Sequence, residues 1–316
     1  MEMRRAGKSG LMIAPIVFGG NVLGWTANEA TSFRILDAFV DGGFNAIDTA
    51  DTYSRFVPGN QGGESETIIG KWLKQGGGRR ERVLIFTKVG HEMGPGKSGL
   101  SRNYIIAEVE DSLKRLQIDC IDLYQSHRDD SSTAMEETLE AYAELIRHGK
   151  IRHIGASNFT PARLKQSLDI SKSRSLPRYE CLQPRFNLYD REDYEGELET
   201  LCMRETIGVI PYYGLASGFL TGKYRSPADF SKSPRGARMS AYLNDKGRRI
   251  LAALDDVAEG HKVNPAAVAL AWLIARPSIA APIASATNVA QISDFCAAAA
   301  LRLSQDEIAK LNDAGK

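Results

Sequence analysis

The chain has 316 residues, of which 43% are hydrophobic and 25% charged, and its 40 basic and 39 acidic residues leave a net charge of +1. Such a balance provides neither a basic stripe for nucleic acid nor an acidic, disordered tail. The four cysteines share no paired spacing, which favours buried thiols in a reducing compartment over disulfides or a zinc site; they are Cys120, Cys181, Cys202 and Cys296.

The first apolar stretch of the chain follows a short basic segment, an order that is also typical of a signal peptide. The apolar stretch runs from Leu11 to Gly20, but Pro15 and the Gly19-Gly20 pair interrupt it. It therefore predicts a first strand and no signal peptide. No run of ~18 apolar residues follows, so no membrane span is expected and the predicted location is the cytoplasm.

Short apolar, β-branched runs recur along the whole chain, each followed by an amphipathic segment. The eight predicted strands are Ile16–Gly20, Phe44–Asp48, Val83–Val89, Ile121–Ser126, Ile151–Ser157, Glu180–Phe186, Ile207–Tyr213 and Ile279–Ser285.

The segments between the strands carry helix signals. Ser32–Asp41 places apolar residues on one face and stops at Gly42-Gly43. Further helix starts are predicted by capping patterns, at Ser101, at Thr133-x-x-Glu136, at Thr160-Pro161, at Asn264-Pro265 and at Ser304-x-x-Glu307.

Eight strands alternating with helices predict an α/β fold, a (β/α)8 TIM barrel with long βα loops at its C-terminal rim. A doubly wound open sheet is the alternative. No linker or repeat divides the chain, so residues 1–316 are expected to form a single domain. Two long connections, Tyr53–Gly63 and Gly214–Asp245, are typical of lids or clamps.

Polar side chains lie where three consecutive strands end, which is where active sites form on a barrel. These are Asp48 with Tyr53 after it, Lys88, and His127. A tyrosine with a pKa of ~10 holds its proton tightly, and an adjacent ammonium is expected to lower that pKa. Asp48 would hold the lysine in place and His127 would orient a substrate oxygen. Each residue alone also fits a structural role, but together they favour acid–base chemistry on a carbonyl.

Several motifs resemble the aldo-keto reductase superfamily over nearly the whole chain. They are Asp48-Thr-Ala-Asp-Thr-Tyr53, Thr87-Lys88-Val89-Gly90, Leu123-Tyr-Gln-Ser-His127, Ile154-Gly-Ala-Ser157-Asn158-Phe159, Gln183-Pro-Arg-Phe-Asn187 and Gly218-Phe-Leu-Thr-Gly-Lys223-Tyr224. The resemblance implies a catalytic tetrad of Asp48, Tyr53, Lys88 and His127, and reduction of a ketone or aldehyde with a nicotinamide cofactor.

The resemblance also implies the residues that would hold the cofactor. Ser157, Asn158 and Gln183 would bind the carboxamide, and Tyr212 would stack on the nicotinamide ring. Leu215, Ser217, Gly218 and Lys223 would line the pyrophosphate. Gly20, Asn21 and Asp48 are further expected contacts, and Trp25, Tyr53 and His127 are expected to contact the substrate. Trp25 with Phe56 favours a partly apolar, even cyclic, substrate, although either ring fits the core of a loop equally well. His91, Arg128 and Tyr224 could also shape the pocket.

The adenosine end departs from the family pattern. The run Ala284–Gln291 contains no Lys or Arg where many members grip the 2′-phosphate of NADPH. Ser285, Thr287 and Gln291 could still donate hydrogen bonds, and Arg225 could supply charge. NADP(H) is the family default, and NAD(H) stays open.

Other functions remain open. A cofactor-binding auxiliary subunit with little turnover, an NAD-linked alcohol dehydrogenase, and a lyase or isomerase with a Schiff base on Lys88 are the alternatives. Gly94-Pro-Gly96-Lys-Ser-Gly99 looks like a phosphate loop, but Pro95 removes one backbone donor, and a flexible entrance loop is the preferred interpretation. The expected partners are small molecules, without nucleic acid or membrane, and no metal is expected.

Overall fold

A computed structural model describes the whole chain, Met1–Lys316. Its first two strands, β1 (Arg4–Arg5) and β2 (Met12–Ile13), form a small antiparallel hairpin. Eight more strands form one parallel sheet: β3 (Val17–Gly19), β4 (Ala46–Asp48), β5 (Leu84–Val89), β6 (Ile121–Ser126), β7 (Ile151–Ser157), β8 (Tyr179–Gln183), β9 (Gly208–Val209) and β10 (Ile283–Ala284). Each overlaps one of the eight predicted strands.

The sheet is a closed (β/α)8 barrel. Its strands follow chain order, with β10 placed beside β3. The remaining gap between β9 and β10 is bridged where Ala280 N donates to Val209 O and Ile283 N donates to Pro211 O, both at 2.8 Å. The predicted barrel is confirmed, and the doubly wound open sheet is excluded because that fold has two free edges.

Prolines shorten three of the predicted strands. β8 ends before Pro184, β9 ends before Pro211, and β10 begins after Pro282. Proline has no N–H to donate to the ladder, so regular pairing stops beside it even though the chain continues in the same direction.

Eleven helices surround the sheet. They are α1 (Glu29–Asp41), α2 (Glu64–Lys74), α3 (Arg79–Arg82), α4 (Arg102–Leu116), α5 (Met135–Arg147), α6 (Pro161–Arg174), α7 (Glu197–Glu205), α8 (Asp245–His261), α9 (Pro265–Ile274), α10 (Ile292–Ala300) and α11 (Gln305–Ala314). The second long connection, predicted as Gly214–Asp245, contains three short 3-10 segments, Ala216–Thr221, Pro227–Lys232 and Gly236–Ala241.

Of the five capping predictions, those at Thr160 and Ser304 hold and that at Thr133 is wrong; the start predicted for the first helix also needs correction. Thr160 accepts from Arg163 N, and Ser304 with Glu307 forms a capping box. The box predicted at Thr133 does not form, because the Thr133 hydroxyl donates to Asp130 and α5 starts after Ala134. Helix α1 starts three residues before Ser32, with Asn28 as its cap.

Ser101 and Asn264 occupy the cap positions predicted for α4 and α9, but their side chains make no capping hydrogen bond. The amide of Asn264 donates instead to Asp294. All four cysteines are free thiols; Cys181 and Cys202 are buried, whereas Cys120 and Cys296 are only half-buried.

The hairpin closes the N-terminal end of the barrel. Ala6, Leu11 and Ile13 pack in one apolar cluster with strand residues that include Phe86 and Leu123. Gly7 fits against the Glu180 carbonyl so closely that a Cβ there would lie 2.2 Å from that oxygen. The interior is therefore accessible from the C-terminal rim. No helix has both the length and the apolar character needed to cross a membrane.

Candidate active site

The four predicted catalytic side chains meet at the C-terminal rim. Asp48 ends β4, Lys88 lies one residue before the end of β5, and His127 follows β6. Tyr53 lies in the loop after β4. Lys88 Nζ is 2.6 Å from Asp48 Oδ2 and 2.9 Å from the Tyr53 hydroxyl, so these three groups form one contiguous cluster.

The carboxylate of Asp48 is bound from both sides. Its Oδ2 receives Lys88 and, at 3.4 Å, the Tyr53 hydroxyl, while Oδ1 accepts from Gln125 Nε2 at 3.1 Å and Gln183 Nε2 at 3.0 Å. Gln125 was not predicted as a site residue. The available signal was its place at the end of β6, where alternation points it into the barrel beside Lys88.

The surroundings raise the pKa of Tyr53 instead of lowering it. Burial is the main cause, and the negative charge of Asp48 adds to it. The positive charge of Lys88 lowers the pKa of Tyr53, but part of that charge is neutralised by Asp48. The predicted lowering is therefore smaller than the increase caused by burial and by Asp48. Burial in turn lowers the pKa of Lys88, against the opposing effect of Asp48. The free protein therefore holds Tyr53 as a neutral phenol at pH 7.

His127 is also neutral. Burial lowers its pKa well below 6.5, and the cations Lys88 and Arg128 and the neighbouring His91 act in the same direction. Its Nδ1 is buried without a hydrogen-bond partner. The ring centroid lies 5.9 Å from that of Tyr53 and 4.2 Å from that of His91.

A cavity of about 370 Å³ opens in front of these groups. Its lining residues are Thr52, Tyr53, Arg55, Phe56, His91 and His127. Trp25, predicted to contact substrate, is not among them; it packs edge-on against Phe56 at 4.9 Å, one ring behind the wall. The cavity thus places a phenol and a neutral imidazole before the same volume, as acid–base chemistry on one oxygen requires.

Residues predicted to hold the carboxamide form a hydrogen-bonded group next to the tetrad. Asn158 has a left-handed backbone (φ 59°), accepts from the Tyr212 hydroxyl at 2.8 Å and donates to His127 O at 3.0 Å. The Ser157 hydroxyl donates to Gln183 O at 2.9 Å. Because Gln183 also binds Asp48, this group is continuous with the tetrad.

The segment predicted to line the pyrophosphate has an unusual backbone. Ala216 and Ser217, which follow Leu215, have φ values of 46° and 57°, and Gly218 has 99°. Positive φ is costly for non-glycine residues and clusters at ligand sites. The ammonium of Lys223 lies 5.1 Å from the Tyr224 ring and makes no salt bridge.

The predicted residues at the adenosine end are linked to the first loop. The Ser285 hydroxyl donates to Asn21 Oδ1 at 2.7 Å, and Asn21 follows Gly20 after β3. The Thr287 amide donates to Gln291 Oε1 at 2.7 Å. These polar groups therefore satisfy one another's hydrogen bonds.

The proposal that Arg225 faces a cofactor phosphate does not agree with the structure. Its guanidinium binds both oxygens of Asp255 at 2.7 Å and also the Gly222 carbonyl. Arg235, which was not predicted, lies 5.1 Å above the Trp25 ring and has a buried Nη2 without a partner. The only sequence signal for Arg235 was that the long connection contains a further arginine. Whether that arginine is paired depends on how the loop folds.

The glycine-rich segment Gly94–Gly99 uses its own backbone donors. Lys97 N donates to Gly94 O, and Gly99 N donates to Gly90 O. The next amide, Leu100 N, donates to the Asp130 carboxylate at 2.8 Å. A phosphate would meet occupied donors and a negative charge, which favours the entrance-loop interpretation.

Comparison with known proteins gives a consistent family assignment. The model described as "Aldo/keto reductase family" matches residues 15–316. The uncharacterized oxidoreductase YrpG of Bacillus subtilis is 35% identical over 99% of this chain and 95% of its own length. A probable voltage-gated potassium channel subunit beta of Oryza sativa is 31% identical over 92% of this chain and 89% of its own. The L-glyceraldehyde 3-phosphate reductase of Escherichia coli is 30% identical over 93% and 86%.

Proposed function

This chain belongs to the aldo/keto reductase family and is an NAD(P)H-dependent oxidoreductase of carbonyl groups; we propose that it uses NADPH and that Tyr53 protonates the carbonyl oxygen. The observation that carries the proposal is Tyr53, which lines the cavity and whose hydroxyl lies 2.9 Å from Lys88 Nζ. A neutral phenol in front of a cavity and an ammonium beside it form a general acid whose anion is stabilised as it forms.

Tyr53, Lys88 and His127 have different roles in the proposed proton transfer. A nicotinamide cofactor, held by the residues predicted above, would supply the hydride for the carbonyl carbon. Tyr53 gives its proton to the oxygen as negative charge develops there, and Lys88 stabilises the phenolate that remains. His127, neutral because of burial, donates its ring N–H to the same oxygen. The phenolate then recovers a proton from water.

Asp48 acts on Lys88 and not on the substrate. Its ion pair with Lys88 at 2.6 Å holds the ammonium in the position where it contacts the phenol. The amides of Gln125 and Gln183 fix the other carboxylate oxygen, so the orientation of the pair does not depend on one contact.

Tyr53→Phe tests the role of the phenol. We expect kcat to fall by about 10²–10⁴-fold, the usual contribution of a positioned acid, with cofactor affinity unchanged. Tyr104→Phe is the matched control, because that hydroxyl is buried without a partner on α4. Unchanged turnover in Tyr53→Phe would remove the proposed proton donor.

The charges of the long connection between β9 and α8 support a phosphate-bearing cofactor. Lys223 and Arg235 have no carboxylate partner, and a buried guanidinium nitrogen without a partner is costly unless a ligand satisfies it. We assign Arg235 in place of Arg225 as the cation that faces the cofactor phosphates. Ser157, Asn158 and Gln183 would hold the carboxamide, and Ser285, Thr287 and Gln291 the adenosine end.

Fluorescence titration with NADPH and NADH tests the cofactor. We expect NADPH to bind at least about tenfold tighter, which corresponds to about 1.4 kcal/mol. Arg235→Gln should weaken NADPH binding, while Arg225→Gln should not, since Asp255 already occupies that side chain. Equal or tighter binding of NADH would instead favour an NAD-linked dehydrogenase.

A second candidate function comes from the relative named as a channel subunit beta. An auxiliary subunit would bind the cofactor tightly but turn over slowly. The complete cluster of Asp48, Tyr53, Lys88 and His127 favours the enzyme. Tight NADPH binding without turnover across a broad panel of aldehydes and ketones would favour the subunit.

A Schiff base on Lys88 is the weakest alternative. Its side chain is fully buried, and Nζ already donates to Asp48, to Thr49 O and to Tyr53. No lone pair is free for attack on a carbonyl. Borohydride trapping of a substrate on Lys88 would contradict this reasoning.

We further propose that residues 1–316 act as one domain on small molecules in the cytoplasm. The hairpin closes the barrel, and α11 packs on α8 while α10 packs on α9 and α1. Limited proteolysis that released a stable fragment lacking the hairpin or α11 would argue against a single domain.

A further inference from the structure

Two arginines in the loops that carry Tyr53 and His127 have no partner in the chain. Arg55 lines the cavity two residues after Tyr53, and Arg128 directly follows His127. Both side chains are exposed, and neither guanidinium makes a salt bridge or a hydrogen bond within the protein. Their positive charges are therefore available to a ligand.

The acidic residues in the neighbouring loops are paired with other groups or do not line the cavity. Asp129 binds Arg163 through both oxygens, at 2.7 and 2.8 Å. Asp130 accepts from Leu100 N and from the hydroxyls of the segment that follows it. Glu92 is exposed and does not line the cavity. The walls of the cavity carry no carboxylate, so nothing in the chain offsets Arg55 there.

The imidazoles in the cavity respond to the same positive field. Burial is the main cause that lowers the pKa of His91, and the charges that add to it are Arg128 and Lys88. The pKa of His127 is lowered by burial and then by Lys88, His91 and Arg128. No carboxylate acts against these cations at either ring.

From this arrangement we propose that the substrate is a carbonyl compound bearing an anionic group, a carboxylate or a phosphate, and that Arg55 and Arg128 determine this specificity. The inference rests on the proposed reductase function and adds the substrate class to it. Arginine suits both anions because its planar fork donates two parallel hydrogen bonds to a pair of oxygens. Phe56 and His91 would cover the carbon chain between the anion and the carbonyl.

The test compares matched carbonyl compounds that differ in charge. Succinic semialdehyde against its methyl ester probes a carboxylate, and glyceraldehyde 3-phosphate against glyceraldehyde probes a phosphate. In the wild-type protein with saturating NADPH, we expect at least one anionic compound to exceed its neutral partner about tenfold in kcat/KM, mainly through a lower KM. The pair with the larger ratio identifies the anion.

Variants then assign the effect to the two arginines. Arg55→Gln and Arg128→Gln should each lower kcat/KM for the preferred anionic compound by about threefold to tenfold and leave the neutral partner within about twofold. Arg147→Gln is the matched control, because this exposed arginine ends α5 at the opposite end of the barrel without a salt bridge. It should change neither rate.

A measurement on the wild-type protein does not depend on the folding of any variant. Raising the salt concentration from about 0.05 M to about 0.5 M screens exposed charges. It should therefore lower kcat/KM for the anionic compound only. Equal rates for both members of both pairs, with no effect of salt, would overturn the anionic class while leaving the reductase function in place. Absence of turnover with all four compounds and with a wider neutral panel would instead overturn the reductase function.

Discussion

Lys88 and Asp48 form an ion pair in the interior of the barrel, with side chains that are 0% and 1% exposed and a separation of 2.6 Å. Removal of one partner from such a pair leaves a buried charge without compensation, which costs about 3–5 kcal/mol. For Lys88→Met we expect about 3 kcal/mol, because Asp48 keeps the amides of Gln125 and Gln183. Asp48→Asn should cost about the same, since Lys88 keeps Thr49 O and the Tyr53 hydroxyl.

The double variant Lys88→Met/Asp48→Asn leaves no buried charge. It should therefore lose clearly less than the sum of the single losses, with a coupling of at least about 2 kcal/mol. Urea unfolding followed by circular dichroism measures the three free energies. The exposed pair Lys165–Asp169, four residues apart on α6, is the control and should couple by less than about 0.5 kcal/mol. Additive losses at Lys88 and Asp48 would refute the reasoning.

Two further predictions concern stability. Gly70→Ala on α2 should lower the free energy of unfolding by about 1–3 kcal/mol, because the new Cβ would lie 2.2 Å from Arg115 O. Gly260→Ala on α8 is the control: its Cβ meets no atom within 4 Å, so the variant should be neutral or more stable. Equal urea midpoints for the two variants would contradict this reasoning. His127 has a pKa below its unfolded value, so below about pH 6.5 the unfolded chain binds a proton that the folded chain does not. The stability of the fold therefore decreases as the pH is lowered. His127→Gln should lose less stability between pH 7 and pH 5 than the wild type, and a larger loss in the variant would argue against a neutral His127.

The barrel could be predicted because each strand is encoded locally. A short apolar run such as Ile121–Ser126 is bounded by turn residues and buried on both faces, and it appears in the structure with the predicted limits. The limits failed beside Pro184, Pro211 and Pro282, where the chain stays extended but the ladder loses a donor. No specific start or end signal was found for the helices α2, α3, α7, α8 and α10.

The tetrad could be predicted from strand ends because parallel strands bring their carboxyl ends to one rim. Gln125 was missed because a neutral amide carries no signal of its role until Asp48 is seen to accept from it. The choice between Arg225 and Arg235 depends on which of them meets Asp255. That contact joins residues thirty positions apart through a loop without regular pattern, so composition and spacing do not determine it.

The protonation of Tyr53 leads to a last prediction. Burial and the charge of Asp48 raise the pKa of Tyr53, whereas Lys88 at 2.9 Å lowers it. Burial and Asp48 together have the larger effect, so the pKa is raised. The resting phenol then carries the proton that carbonyl reduction requires. Tyrosinate absorbance near 295 nm should be the same in the wild type and Tyr53→Phe up to about pH 10, the ordinary value for tyrosine. One additional tyrosinate in the wild type between about pH 7 and 9 would mean that Lys88 dominates instead, and the cluster would then be arranged for a base.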